Sequence, residues 1–336
     1  MGITIRDIEK ETGVSRSTVE RILNNKRTVD DEKKRTVLDA VKRLNYNPLS
    51  NIPLLNKVKT SSIGVVSHIT NLSYSPFYNK FVNAMKSISA TSGYDCLLYS
   101  EQDILRKTTD EFHFGRQNFN CDGLVFFCPY QYEKYLTILR SWDIPCVLVR
   151  RKSDLPGVAC INNNDEKSMK EMVDHLYSLG HQRIAYVGAH KASTQDEERD
   201  LGYRAGLKTN NLPVDSNLEL EVSDMRGFRY DYSKLMEQEN PPTALMCYDD
   251  HIAINAMREL QKQGVRIPDE AAVTGFNDDG TCELVNPALT TIRINTEKIA
   301  EMACKVLIDK LVNNDVAELN LVVKNELVVR ESCGAK

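Results

Sequence analysis

In residues 4–45, apolar positions recur at intervals of three and four, the period of an amphipathic helix, and they fall into three short runs. Thr4 can cap the first run, with Asp7 three positions on as its capping-box partner, and Ile5 and Ile8 share one face. Gly13 supplies a tight turn. Ser15 is a good N-cap for a second helix on which Val19, Ile22 and Leu23 line up. Asp30 can cap a third, with Val37, Leu38, Val41 and Leu44 as its buried stripe. Two short helices joined by a Gly-containing turn fit a helix-turn-helix, although an arbitrary small helical bundle has the same periodicity.

After Tyr46-Asn47-Pro48, the stretch from Leu49 to Thr60 reads as a linker. From Ser62 onward, short β-rich runs alternate with amphipathic helices. The predicted strands include Ile63–Ser67, Cys96–Tyr99, Gly123–Phe127, Cys146–Val149, Val158–Ile161, Arg183–Val187, Ala244–Cys247 and Ala272–Gly275. Glu166–Leu179 reads as a helix with Met169, Met172, Val173 and Leu176 inward, and His251–Gln263 as another with Ile252, Met257 and Leu260 inward. Near-continuous apolar strands separated by helices indicate parallel sheets covered on both faces. About 270 residues of this pattern exceed one comfortable core, so two lobes are expected.

Composition narrows the class. The 336 residues are 41% hydrophobic and 27% charged, ordinary for a globular chain. There is no run of about 18 apolar residues to span a membrane, and Met1 to Glu11 lack the apolar core of a secretory signal. The nine cysteines form no CxxC pair, and several, such as Cys146, sit in apolar runs, which fits a reducing cytoplasm. Residues 1–59 hold 13 Lys+Arg against 8 Asp+Glu, a balance of +5, and the remainder holds 30 against 39, a balance of −9. A basic head on an acidic body is the footprint of a nucleic-acid reader, and chance variation in surface charge gives the same numbers. GxGxxG, GxxxxGK[ST], HExxH and GxSxG are absent and the six histidines form no ligand-spaced cluster, so no enzyme, metal or cofactor is expected. A secreted solute-binding protein would account for two lobes but not for the head. A DNA-binding protein with a ligand-free body is a further alternative.

The residues that decide between these are spread over the chain. The head, Thr4-Ile-Arg-Asp-Ile-Glu-Lys-Glu-Thr-Gly-Val-Ser-Arg-Ser-Thr-Val-Glu-Arg-Ile-Leu-Asn24, is similar to the headpiece of the lactose/galactose repressor (LacI/GalR) family. Later segments agree with that family in the same order: Leu179-Gly-His-Gln-Arg-Ile-Ala-Tyr-Val-Gly188, Arg199 before Gly202-Tyr203-Arg204, Gly264-Val-Arg-Ile-Pro268, Gly275-Phe-Asn-Asp-Asp279 and Pro287-Ala-Leu-Thr-Thr-Ile292. The resemblance runs from about Ile3 to Arg330. It implies an all-α helix-turn-helix headpiece on an α/β two-lobed body resembling periplasmic binding proteins, the lobes joined by several chain crossings. It implies a homodimer, or a dimer of dimers, that represses transcription from pseudo-palindromic operator DNA under the control of a small-molecule effector. The expected divisions are 1–48 for the headpiece, 49–60 for the hinge, and 61–336 for the effector-binding and dimerisation body. One lobe is expected at about 61–160 and 290–320, the other at about 161–289 and 321–331.

In a helix-turn-helix, the second helix lies in the major groove with its N-terminal residues at base edges. Arg16 and Ser17 fall there, and a guanidinium can donate twice to guanine O6 and N7. Arg21, a helical turn on, resembles the family's other base-reading arginine. Thr4, Ser15, Thr18 and Asn24 resemble its phosphate-positioning set, with Lys33 as a further phosphate contact. Glu20 departs from the small hydroxyl residue usual at its position, so it should face away, pair with Arg16 or Arg21, or accept from a cytosine N4. Leu55 aligns with the family's minor-groove wedge. Pro53, however, disfavours helix at Ile52 within that hinge.

Ligands of open α/β sheets bind outside the carboxyl ends of strands. Arg199 resembles the family's ligand-clamping arginine, whose fork can hold vicinal hydroxyls or a carboxylate. Asp249 and Asn277, each following a strand, project to the same region. Asn162 should meet them from between the lobes, Phe77 or Tyr74 offers a stacking face, and Asp250 reads as a helix N-cap. Asn162 and Asn277 stand where many sugar-sensing relatives carry Asp, and Asp249 where they carry Asn, which alters the hydrogen bonds offered. A carbohydrate or glycoside is the first reading of the effector, with a nucleobase, a sugar phosphate or another metabolite as alternatives.

Overall fold

A computed structural model describes residues 4–23, 30–44, 46, 59–68, 76–109, 119–130, 132–189, 194–222, 231–313 and 319–335. The three N-terminal helices form where the periodicity placed them: α1 (Ile5–Thr12), α2 (Arg16–Leu23) and α3 (Asp31–Arg43). Gly13 ends α1 in the left-handed region at φ 67°, a conformation that costs a residue with a Cβ. Asp30 Oδ1 accepts from the Glu32 backbone N–H at 2.8 Å and so caps α3. Ile8, Val19, Ile22, Val37, Leu38 and Val41 close a small core of their own, joined by Tyr46, with Leu44 packed at its edge.

The first sheet of the body is built from β1 (Ser62–Ser67), β2 (Asp95–Ser100), β3 (Gly123–Phe127), β4 (Cys146–Val149) and β5 (Ala159–Asn163), with α4 (Pro76–Thr91), α5 (Glu101–Thr109) and α6 (Tyr132–Ser141) between strands. The second sheet begins after α7 (Asp165–Ser178). It holds β6 (Ile184–Ala189), β7 (Glu219–Val222), β8 (Ala244–Cys247), β9 (Ala272–Asn277) and β10 (Thr290–Arg293), with α8 (Thr194–Thr209), α9 (Ser233–Met236) and α10 (Asp250–Lys262) interleaved. The long α11 (Thr296–Asn313) packs on α4 in the first lobe, and β11 (Asn320–Val323) and β12 (Glu326–Val328) close the two sheets. The strand orders are β11-β5-β4-β3-β1-β2 and β12-β10-β9-β8-β6-β7. All described pairings are parallel except β10 with β12.

Alternation within the strands feeds both faces. Ile63, Val65, Val125 and Phe127 enter one core, while Val66, Leu124, Phe126 and Leu148 enter another on the opposite face. Both sets are buried because helices cover each side, which is why these strands read as continuous apolar runs. No described helix is long and apolar enough to cross a membrane.

The chain passes between lobes near Asn164, Ile294 and Lys324, not at the expected 160, 290 and 320. Ladder hydrogen bonding decides this: β10 runs parallel to β9 (Thr290 opposite Thr274) and β11 parallel to β5 (Asn320 opposite Cys160). Strand 290–293 therefore belongs to the second sheet, and residues 161–163 and 321–323 to the first. The first and third crossings are stitched together by Asn325. Its side-chain amide donates to Asp165 Oδ1 at 3.0 Å, its backbone N–H donates to Asn164 Oδ1 at 2.7 Å, and its side-chain Oδ1 accepts from Asn163 Nδ2 at 2.9 Å. Past the linker, the body is anchored at once, because Thr60 and Ser61 donate backbone N–H bonds to the buried Asp122 carboxylate.

Candidate functional site

On the head, α2 turns Val19 and Ile22 into the core and leaves Arg16, Ser17 and Arg21 exposed. Arg16 Nε donates to Glu20 Oε1 at 2.8 Å, an i,i+4 ion pair at the surface, so Glu20 takes the Arg16-pairing course of those open to it. That pair leaves the outer guanidinium nitrogens of Arg16 for other acceptors. Ser15 occupies the N-cap position of α2, but its hydroxyl bonds the Thr18 and Ser17 hydroxyls. The free Arg16 N–H is satisfied instead by Glu9 Oε1 of α1 at 2.9 Å. This contact between the two helices was missed in the sequence, since the partners stand seven apart. At Thr4 the expected capping box forms from its acidic half, Asp7 Oδ2 accepting from the Thr4 N–H and hydroxyl, both at 2.7 Å. These bonds hold the Asp7 carboxyl below its usual range. Lys33 is exposed in the first turn of α3. Asn24, Leu55 and Tyr74, with the Pro53 hinge, lie outside the described residues.

In the body, the candidate residues gather where strands of both sheets end. Arg199, on α8, is a charged side chain only 2% exposed. Its Nε donates to Asp165 Oδ2 at 3.2 Å, its Nη1 to the Tyr248 carbonyl, and its Nη2 to Asn277 Oδ1 at 3.3 Å. Its guanidinium lies 3.7 Å from the Phe276 ring centroid and 4.4 Å from that of Tyr248, two cation–π contacts that favour the charged form. Asn277 is thus joined to Arg199, at a backbone φ of 113°.

Three sequence readings need correction here. Asp249 is the N-cap of α10, its Oδ1 accepting from the Ile252 N–H at 2.8 Å. Asp250, read as the cap, is instead buried in the first turn, accepting from the Thr291 hydroxyl and the Asp279 N–H. A cap must lie half outside the helix with extended φ and ψ, and only Asp249 does. Second, Asn162 does not meet Arg199. It sits in β5 beside Val322 and lines an open groove of about 710 Å³ with Lys152, Lys167 and Lys170, and Asp165 three residues later makes the contact. Third, Phe77 does not offer a bare ring: it packs on Phe127, and the Arg150 guanidinium lies 5.0 Å from its centroid.

Arg150 and Asp165 were missed altogether. Arg150 Nη2 donates to Asp165 Oδ2 at 2.8 Å, so one carboxylate oxygen serves two buried guanidinium groups. Burial pushes the Asp165 carboxyl up, but Arg150 and Arg199 outweigh it and hold the group below its usual value. The rule that led to Asp249 and Asn277 could have found Arg150, which directly follows β4. The lobes are also bridged by Arg151 to Gln195, by Lys152 Nζ to Glu198 Oε1 at 2.8 Å and by Lys80 Nζ to the Asp278 carbonyl at 3.0 Å. The interlobe site is therefore closed around its own arginines.

Comparison with known proteins agrees with both halves. The profile for bacterial regulatory proteins of the lacI family matches residues 4–49, and that for a periplasmic binding protein-like domain matches residues 173–333. The chain is 27% identical over 332 residues to ExuR of Bacillus subtilis, called a probable HTH-type transcriptional repressor, covering 98% of each chain. It is 28% identical over 331 residues to the HTH-type transcriptional repressor PurR of Mannheimia succiniciproducens, again over 98% of both. Among solved structures, a CelR–cellobiose complex superposes with a TM-score of 0.72 at 22% identity, covering 98% of this chain and 99% of that one. A lac repressor dimer bound to operator and the anti-inducer ONPF gives 0.67 at 22% identity over the full length of both.

Proposed function

Because the chain belongs to the LacI family of bacterial regulatory proteins, we propose that it is a transcriptional repressor whose grip on operator DNA is set by a small molecule taken between its lobes. The observation that carries the reading is the outer face of α2, where Arg16, Ser17 and Arg21 stand exposed while Val19 and Ile22 fix the helix from behind. A rigid helix presenting arginine forks suits base edges in a major groove. Thr4, Ser15, Thr18, Asn24 and Lys33 position the backbone phosphates, and Leu55 enters the minor groove. The protein acts as a homodimer on a pseudo-palindromic site, since two heads must match two half-sites.

Control follows from linkage. A ligand that prefers one lobe arrangement shifts the dimer toward it and changes the spacing of the heads. Operator DNA must then change the ligand's affinity by the same factor. The buried Arg199, held by Asp165, Tyr248 and Asn277 from separate elements of the body, supports a site that senses how the lobes meet. The relatives' names as repressors and the cellobiose bound by a structural neighbour support the same reading, with a carbohydrate as the first ligand class. The test is fluorescence anisotropy with the purified full chain and fragments of its genome. The reading expects tight, salt-sensitive binding to a few sequences. Equal binding to every oligonucleotide, or none at physiological salt with or without candidate ligands, would refute it.

A further inference from the structure

Three consecutive basic residues follow β4, and each is held from the second lobe. Arg150 Nη2 donates to Asp165 Oδ2 at 2.8 Å, Arg151 Nη1 donates to Gln195 Oε1, and Lys152 Nζ pairs with Glu198 Oε1 at 2.8 Å. Gln195, Glu198 and Arg199 stand at i, i+3 and i+4 of α8, so one helix face carries all three. Arg199 joins the group through Asp165. Gln195 Nε2 also donates to the Arg150 carbonyl, so a single amide grips both a side chain and the backbone of the other lobe. Arg151 is anchored within its own lobe by the Pro129 carbonyl, 2.7 Å from its Nε. Arg150 lies at φ 59°, a left-handed conformation that a residue with a Cβ keeps only where its surroundings hold it.

These contacts are nearly closed to water. Arg150, Arg151, Asp165, Gln195 and Arg199 are between 1% and 7% exposed. A small molecule can bond only to groups with surface it can touch, and these offer next to none. The donors and acceptors at the strand ends are bonded to one another across the lobes. A molecule bound to the arginine cluster and this set of cross-lobe bonds therefore exclude each other.

We propose that the α8 face and the Arg150-Arg151-Lys152 segment form a clasp that competes with the effector, so that a small molecule reaches the arginine cluster only with the lobes parted and then holds them parted. This rests on the preceding reading that the interlobe site takes a ligand at all. Affinity for the ligand is then reduced by the fraction of protein that is clasped, and weakening the clasp raises it. Gln195 is the member to remove, because Arg151 keeps the Pro129 and Arg150 carbonyls as partners when it goes.

The experiment uses the full-length protein and has two arms. The first needs no ligand: phenylglyoxal modifies accessible guanidinium groups, and peptide mapping reads the rate at each arginine. Gln195→Ala should speed modification of Arg150, Arg151 and Arg199 about fivefold or more, with the exposed Arg266 unchanged as the reference and cooperative urea unfolding confirming the fold. The second arm is isothermal titration with cellobiose, glucose, glucuronate, adenine and glucose 6-phosphate. At least one probe should bind Gln195→Ala about fivefold or more tightly than the parent. Lys152→Cys with Glu198→Cys, joined by a short bismaleimide, should lose that binding, while the same reagent leaves the parent's binding intact. If Gln195→Ala does not fold, Lys152→Ala must give both effects with a factor of about two, as befits a pair with one exposed partner. Equal modification rates would overturn the clasp. A probe that binds the parent at least as tightly as the variant, or that still binds the cross-linked protein, would overturn the competition and leave a ligand-taking site in place. No probe bound by any form would overturn the competition and count against the ligand-taking site as well.

Discussion

Asp165 and Arg199 meet at 3.2 Å with side chains 1% and 2% exposed, one from the first turn of α7 and the other from α8. The same Asp165 oxygen holds Arg150, which follows β4 in the first sheet. One carboxylate thus ties the crossing between lobes to both walls of the interlobe site.

Removing that charge should be expensive. Asp165→Asn keeps the size of the side chain but leaves two buried guanidinium groups without an anion, which costs about 3–5 kcal/mol when a buried pair is broken. The urea midpoint should fall with little change in slope. Adding Arg150→Met should recover part of the loss, because the removed partner no longer needs pairing. A variant as stable as the parent would show that Asp165 is not the keystone of the cluster.

Packing sets the distance between those two residues. A Cβ at Gly202 of α8 would come within 2.2 Å of the Glu166 carbonyl oxygen and 2.6 Å of Met169 Cβ on α7. Alanine favours helix by about 1 kcal/mol over glycine, yet the backbone clash forces the helices apart. Gly202→Ala should therefore destabilise by about 1–3 kcal/mol net and loosen the Asp165–Arg199 contact. A rise in melting temperature would contradict this.

At the head, Arg16→Ala should weaken operator binding by roughly 1–3 kcal/mol and relax discrimination at one base position, read by selection from a randomised operator library. Glu20→Gln removes a carboxylate from the face of α2 that carries the proposed DNA contacts and releases Arg16 Nε. It should strengthen binding to unrelated duplex and steepen its salt dependence. An unchanged selection profile for the first variant, or weaker non-specific binding for the second, would take these residues off the interface.

Asp250 gives a pH dependence whose sign is fixed. Burial pushes its carboxyl up to about 7, against the Thr291 hydroxyl and the Asp279 N–H that favour the charged form. The folded state therefore holds a proton that the unfolded chain releases near pH 4, so this contribution to stability is complete below about pH 4 and is lost as pH rises through about 7. Between pH 5 and pH 8, the parent should lose more unfolding free energy than Asp250→Asn, any constant offset between them dropping out. Parallel pH profiles would mean that Asp250 does not titrate in this range.

Local rules carried far along this chain because the interactions concerned are local. The helices of the head, the Gly13 turn, the Asp30 cap and most strand cores follow from periodicity and capping within a few residues. Where the reading slipped, the deciding partner was distant. Asp249 and Asp250 look alike as neighbours, and only Asp279 and Thr291, which approach Asp250 from elsewhere in the body, decide which one lies inside. Arg150 stood in the right kind of place, directly after a strand, but nothing beside it signals its partner fifteen residues on.

The sequence by itself determined the order of elements, the division into a basic head and a two-lobed body, and the family likeness, since each is written in short-range pattern and motif. Tertiary structure alone decided which strands cross between sheets, how closely α7 approaches α8, and that two arginines converge on one carboxylate. Those outcomes depend on ladder pairing and desolvated charge between residues far apart in the chain. Such energies arise only when the fold brings the groups together and removes water from around them.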